Sequence, residues 1–247
     1  MKIDLTDRRN IYFCTDVHGE WDKLNFFLNE VGFNYRDAIV CAGDMIDRGD
    51  KNLEVVNFFL LADNAYAVRG NHEQMAIDAV LGKDRRNYAM WRMNGGAWAD
   101  DYPTVMIDGL VRQMNINFPY YLEVQVENTK IAVVHAEVPN GDFETYKRVA
   151  GNNHALDQHA IWGRRAIEAE ARLPVVGADF TLHGHTVKET ITKIQNQIWF
   201  DTGGVFDCGD EVYGLTILEF NRETKEFVTH KVVLDPLAGK ANRYKLV

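Results

Sequence analysis

Three short apolar runs each break, at the carboxyl end, into the same kind of polar string. Ile11-Tyr12-Phe13-Cys14 leads into Asp16-Val17-His18-Gly19, and Ala38-Ile39-Val40-Cys41-Ala42 into Gly43-Asp44-Met45-Ile46-Asp47-Arg48-Gly49. Ala65-Tyr66-Ala67-Val68 leads into Gly70-Asn71-His72-Glu73. Runs this short, and apolar at nearly every position, read as strands buried on both faces. Between them the apolar period changes. Leu24, Phe27, Leu28 and Val31 recur at helical spacing, with Gly32 as the stop; Leu53, Val56 and Leu60 mark a second helix, and Ile77, Val80 and Leu81 a third. Strands alternating with helices restrict this half of the chain to a largely parallel sheet.

The rest of the chain carries different patterns. Residues 85–101 hold Tyr88, Trp91, Trp98 and the break Asn94-Gly95-Gly96; they read as a helical insertion near the mouth of whatever the strand ends form. Residues 120–126 and 131–134 read as a hairpin turning through Asn128-Thr129. Further strands are expected at 180–182, 190–194, 198–200, 215–220 and 227–233, with a helix across 166–172. A polar loop is expected between Pro139-Asn140-Gly141 and Gly151-Asn152-Asn153, because turn residues bracket it. With no long linker, repeat or low-complexity tract, residues 1–247 are read as one domain.

Composition excludes several classes of function. The net charge is −9, which argues against a nucleic-acid or anionic-membrane partner, since both need a basic footprint. The chain contains no serine, so no serine nucleophile is available. Its cysteines are Cys14, Cys41 and Cys208; none is followed by arginine at C-x5-R spacing, and none forms C-x-x-C. Reduced thiols and the absence of an apolar leader point to the cytoplasm (a host's cytoplasm, were the chain viral). No run approaches membrane-spanning length. Asp207, Cys208 and Asp210 follow Asp201-Thr202-Gly203-Gly204 in a loop to which no role is assigned. His183 is read as structural, His154, His159 and His230 as solvated or supporting, and Arg85-Arg86 as a solvated pair.

What remains is metal chemistry. Asp16 and His18 stand two apart beyond a strand, so both can project to one side and hold one dication. Asp44 ends the second strand, where one carboxylate can bridge two ions. Asn71 offers a neutral oxygen to the second ion. His135 follows Ile131-Ala132-Val133-Val134 and His185 follows a strand through Gly184; both suit that second ion. Mixed oxygen and nitrogen ligands favour Mn²⁺, with Fe or Zn²⁺ as alternatives, over Ca²⁺.

The stretches Ala67-Val68-Arg69-Gly70-Asn71-His72-Glu73-Gln74-Met75, Asn94-Gly95-Gly96-Ala97-Trp98, Ile161-Trp162-Gly163-Arg164 and Gly184-His185-Thr186 join these motifs in a recognisable order. From Tyr12 to Leu218 the chain resembles the calcineurin-like metallophosphoesterases, and within them the phosphoprotein phosphatase branch with its phage-lambda-type and bacterial serine/threonine phosphatases. The resemblance implies an α/β sandwich of two mixed β-sheets flanked by helices. It implies two divalent ions, Asp16, His18 and Asp44 holding the first and Asp44, Asn71, His135 and His185 the second. It also implies His72 as general acid oriented by Asp47, and Arg48, Arg69 and Arg164 gripping phosphate. Hydroxide held by the ions would attack phosphorus directly, which agrees with the missing nucleophiles. The implied substrates are phosphoproteins, on serine or threonine and also tyrosine, or small phosphomonoesters, with no regulatory subunit. Many superfamily members carry a second histidine where Val187 stands; protein phosphatases share its absence, and an exchangeable first metal is expected. Gly163 is a further departure, directly before Arg164. The rival readings are hydrolysis of diadenosine tetraphosphate or another nucleotide, and a catalytically silent binding protein on the same fold.

Overall fold

The computed structural model describes residues 1–169, 173–206, 211–235 and 244–247. In chain order the first half gives β1 (Lys2–Asp4), β2 (Ile11–Cys14), α1 (Trp21–Glu30), β3 (Ala38–Cys41), α2 (Asn52–Leu61), β4 (Ala65–Ala67), α3 (Asn71–Val80), α4 (Arg85–Met93) and α5 (Thr104–Asn117). The second half gives β5 (Leu122–Val126), β6 (Thr129–Val133), α6 (Phe143–Val149), α7 (His154–Trp162), α8 (Arg165–Glu168), β7 (Phe180–His183), β8 (Thr192–Ile194), β9 (Gln197–Trp199), β10 (Leu215–Asn221), β11 (Glu226–Leu234) and β12 (Tyr244–Leu246).

These strands form two six-stranded mixed sheets, ordered β12-β11-β10-β2-β3-β4 and β1-β5-β6-β7-β9-β8. In the first, β2, β3 and β4 run parallel and β10 to β12 complete it antiparallel. In the second, β6, β7 and β9 run parallel.

Side-chain alternation along the buried strands explains the layers. Ile11 and Phe13 of β2, with Val40 of β3, meet Ile131 and Val133 of β6 and Leu182 of β7 between the sheets. Tyr12, Cys14, Ile39 and Cys41 point the other way, onto Leu24, Phe27, Val55, Val56 and the α5 residues Ile107, Val111 and Met114. Ala132 and Val134 face a third cluster with Phe143, Tyr146 and Ala160 of α6 and α7. Each fully buried side chain of this size contributes about 1.5–3 kcal/mol, so strands loaded on both faces are what a four-layer sandwich requires. The expected fold class, two mixed sheets flanked by helices, is the one found.

Local expectations fare unevenly. The 85–101 insertion is helical: α4 is followed by a 3₁₀ segment, Gly96–Asp101. The segment read as a polar loop instead holds α6, capped by Asp142, whose carboxylate accepts the Thr145 N–H at 2.9 Å. Helix α5 is an element for which no expectation was formed. The helix expected across 166–172 is found as α8, ending at Glu168, and its last residues lie outside the described ones, as do Asp207, Cys208 and Asp210. No helix among the described residues is long and apolar enough to cross a membrane.

Candidate metal centre

Parallel pairing brings the strand ends together. Cys14 lies beside Cys41 and Cys41 beside Ala67, so the loops after β2, β3 and β4 leave the sheet at one level. Val133 lies beside Leu182, which does the same for the loops after β6 and β7. Cross-sheet bonds then join the two sets: His135 Nδ1–H donates to the Ala42 carbonyl at 2.7 Å, and the His185 N–H donates to Asp16 Oδ2 at 3.0 Å. Asp16, His18, Asp44, Asp47, Arg48 and His185 all have φ between 45° and 76°. Left-handed backbone at non-glycine residues costs on the order of 1 kcal/mol or more each, and such residues concentrate where function fixes a side chain's aim.

Asp44 is the centre of the arrangement. Its Oδ2 lies 3.3 Å from His135 Nε2, 3.8 Å from His18 Nε2 and 3.9 Å from His72 Nε2. Asp16 Oδ1 is 3.9 Å from His18 Nε2. Asn71 Oδ1 accepts from His135 Nε2 at 3.0 Å and His185 Nδ1 at 2.9 Å. Two groups of donor atoms, from His18, Asp44 and His72 and from Asp44, His135 and His185, each fit within 4.8 Å, and Asp44 belongs to both. All six predicted ligands therefore converge.

Charge in this space is unbalanced. Burial pushes the Asp16 carboxyl well above its usual range, and the neighbouring Asp201 and Asp44 charges push it further. Burial works against the Asp44 charge too, but His135 and His72 hold that carboxyl well below its ordinary value. Burial would lower His135; the Asp44 carboxylate, with Asp16 behind it, instead raises it to about 10. His18 and His185, desolvated beside other positive groups, fall to about 3. Buried carboxylates that oblige a histidine to stay protonated form a site suited to cations, and the hard oxygens and imidazoles suit divalent transition metals.

The acid candidate sits beside it. His72 Nδ1–H donates to Asp47 Oδ2 at 2.7 Å. Burial opposes its charge, but Asp44 and Asp47 outweigh it and hold His72 above its ordinary value. Asp47 is fully buried and also receives the indole N–H groups of Trp91, 3.0 Å from each oxygen, and of Trp98, 2.8 Å from Oδ1.

The three arginines divide. Arg48 is exposed, with Nη1 2.8 Å from His18 Nε2 and Nη2 3.1 Å from His72 Nε2. Arg164, also exposed, donates from Nε to His185 Nε2 at 3.2 Å. Arg69 is a correction. Its Nε, Nη1 and Nη2 are engaged by the Phe118 carbonyl, Gln74 Oε1 and the Asn115 carbonyl at 2.8–2.9 Å, and the guanidinium stacks on Tyr120. Three of its five N–H groups are taken up by the end of α5 and by Gln74, so the guanidinium is held there rather than at the cluster.

Sequence reasoning missed three contributors. Glu73 accepts backbone N–H groups from Gly70, Asp44, Met45 and Ile46. Its signal was the glutamate three residues into a helix. Asp201, raised to about 6 by burial and then by Asp44, follows the buried run Ile198-Trp199-Phe200, the placement used to find Asp44. Glu137 accepts the Ala166 N–H at 2.7 Å and contacts His159 Nε2; nothing local in the sequence marks it. His183 is structural as expected, bonded to Val134 and Thr181.

The chain is similar to known proteins. A family model described as calcineurin-like phosphoesterase matches residues 9–189. Serine/threonine-protein phosphatase 2 of Escherichia coli (strain K12) is 30% identical over 212 residues, 82% of this chain and 91% of its own. A symmetrical bis(5'-nucleosyl)-tetraphosphatase of Buchnera aphidicola subsp. Baizongia pistaciae (strain Bp) is 42% identical over 156 residues, 58% of this chain and 56% of its own. A solved protein serine/threonine phosphatase from Saccharomyces cerevisiae superposes with a TM-score of 0.64 at 12% identity, covering 99% of this chain and 86% of that one. Identity that low speaks to the fold alone.

Proposed function

The chain belongs to the calcineurin-like phosphoesterases, and from that premise we propose that it is a metal-dependent phosphomonoesterase acting as a serine/threonine protein phosphatase, with phosphotyrosine as a further substrate. The carrying observation is Asp44, whose Oδ2 lies among the ring nitrogens of His135, His18 and His72. Asp16, His18 and Asp44 would hold one ion and Asp44, Asn71, His135 and His185 the other, with Mn²⁺ the proposed metal. When bound, two such ions acidify water and offset charge on the phosphoryl group.

The protein's own side chains account for the rest. Arg48 and Arg164, exposed beside the cluster, grip phosphate oxygens through charge-assisted hydrogen bonds. His72, kept protonated by Asp44 and Asp47, gives its proton to the leaving oxygen; such help is worth about 10²–10⁴-fold. Asp47 fixes the ring so that Nε2 carries the exchanged proton.

The match to the Escherichia coli phosphatase spans most of both chains, which favours a protein substrate. The tetraphosphatase match is higher in identity over little more than half of each, which sustains nucleotide hydrolysis as the second reading. Protein stripped of metal and resupplied with Mn²⁺ should release phosphate from 4-nitrophenyl phosphate and from phosphoserine, phosphothreonine and phosphotyrosine peptides. Faster turnover of diadenosine tetraphosphate than of any phosphopeptide would overturn the first reading in favour of the second.

A further inference from the structure

Among the described residues, Asp47 is the site carboxylate that side chains of the 85–101 insertion bind. Its Oδ1 receives Trp91 and Trp98, and its Oδ2 receives Trp91 and His72. A carboxylate has about four lone-pair sites, so three N–H donors leave it little freedom to turn. Only one of the three, His72, can carry charge. Neutral indoles offset the cost of burying the carboxylate without competing with His72 for its charge.

The insertion is built to deliver them. Tyr88, Trp91, Trp98 and Tyr102 stack edge to face in succession, with ring centroids 6.0–6.2 Å apart. Tyr88 Oη donates to Asp100 at 2.7 Å, and Arg92 pairs with the same carboxylate. Gly95, at φ 110°, brings the chain against Arg48: a Cβ there would lie 2.7 Å from the Arg48 nitrogen. Packing alone would require none of this aim, since an aromatic ring can pack there without an N–H turned to Asp47.

We propose that Trp91 and Trp98 are positioning residues for the proton transfer: by clamping the Asp47 carboxylate they fix the tautomer and direction of His72, and the insertion exists to supply them. This rests on the reading of His72 as the donor to the leaving oxygen. A role confined to that proton shows only where the leaving group needs one.

The test is therefore leaving-group dependence. Wild type, His72→Asn, Trp98→Phe and Trp91→Phe are compared in Mn²⁺ on phenyl phosphate, a poor leaving group, and 2,4-dinitrophenyl phosphate, which departs unprotonated. His72→Asn should lose about 10²–10⁴-fold on the first ester and far less on the second. Trp98→Phe should lose about tenfold on phenyl phosphate and stay within about twofold of wild type on the dinitrophenyl ester. Trp98 is only partly buried, so its variant decides the matter even if Trp91→Phe fails to fold. Equal losses on both esters, or no loss on either, would overturn the proposal while a steep His72→Asn profile left the catalytic reading standing. A flat His72→Asn profile, or an inert wild type, would overturn that reading itself.

Discussion

One carboxylate, Glu73, organises the turn on which Asp44 rides. Its Oε2 takes the N–H groups of Asp44 at 2.9 Å and Gly70 at 2.7 Å, and its Oε1 takes those of Met45 at 2.8 Å and Ile46 at 3.3 Å. It is fully buried, and burial followed by the Asp44 charge raises its carboxyl above the ordinary value. Four amides converging on two oxygens offset part of that penalty without cancelling it. Glutamine at this position keeps the shape but turns an NH₂ toward donors, leaving buried N–H groups facing it. Glu73→Gln should therefore lose about 3 kcal/mol or more of stability, read as a lower urea midpoint, together with its metal-dependent turnover. An unfolding free energy within about 1 kcal/mol of the parent's would mean that the turn is held by its other contacts. Arg69 is the opposite lesson at this scale. Its motif matched, but motifs do not say where a guanidinium's N–H groups go, and here the Phe118 and Asn115 carbonyls and Gln74 Oε1 take three of the five.

Among the elements, the joint between α7 and α8 shows how a departure in sequence is absorbed. Glu137 lies buried beneath it, accepting the Ala166 N–H, and a Cβ on Gly163 would sit 2.5 Å from Glu137 Oε1. Glycine is needed there so that the backbone can rest on the carboxylate, and this seating brings Arg164 to His185. Gly163→Ala must move one or the other. It should cost about 10–100-fold in kcat/KM on an aryl phosphate, the loss expected when a charge-assisted contact is removed. Arg164→Ala should cost as much, and the double variant little more than either alone; additive losses would show that Gly163 acts elsewhere. The elements that carry ligands were legible because buried parallel strands leave continuous apolar runs, and their ends are abrupt. Helix α6 was not, because Pro139-Asn140-Gly141 and Gly151-Asn152-Asn153 bracket it with turn signals. Phe143, Tyr146 and Val149 between them nonetheless repeat every third residue, and the first two are buried. Ile107, Val111 and Met114 of α5 are spaced just as legibly; that helix went unread because no motif drew attention to it.

For the whole molecule, the cluster is both a joint between the sheets and a source of repulsion. Asp16, Asp44 and Asp201 are all at most 5% exposed. Positive charge among them comes from a protonated His135, held at about 10, with His72, raised above its ordinary value, beside Asp44. A histidine whose folded value is raised stabilises the native state fully below its unfolded value of about 6.5 and loses that contribution as pH climbs through the folded one. Divalent ions at the same ligands must displace that proton, so they compete best at higher pH, where the proton's contribution is fading. An ion bound only by the native state at about 100 times its dissociation constant adds about 2.7 kcal/mol. For a chain of this size that is about 5–10 °C in melting temperature. The metal-stripped protein should thus melt higher on titration with Mn²⁺, by an increment that grows from about pH 6 to about pH 8.5. Asp44→Asn should abolish the increment, because it removes the ligand common to both groups. An increment that survives Asp44→Asn, or shrinks as pH rises, would place the stabilising ions somewhere other than between the sheets.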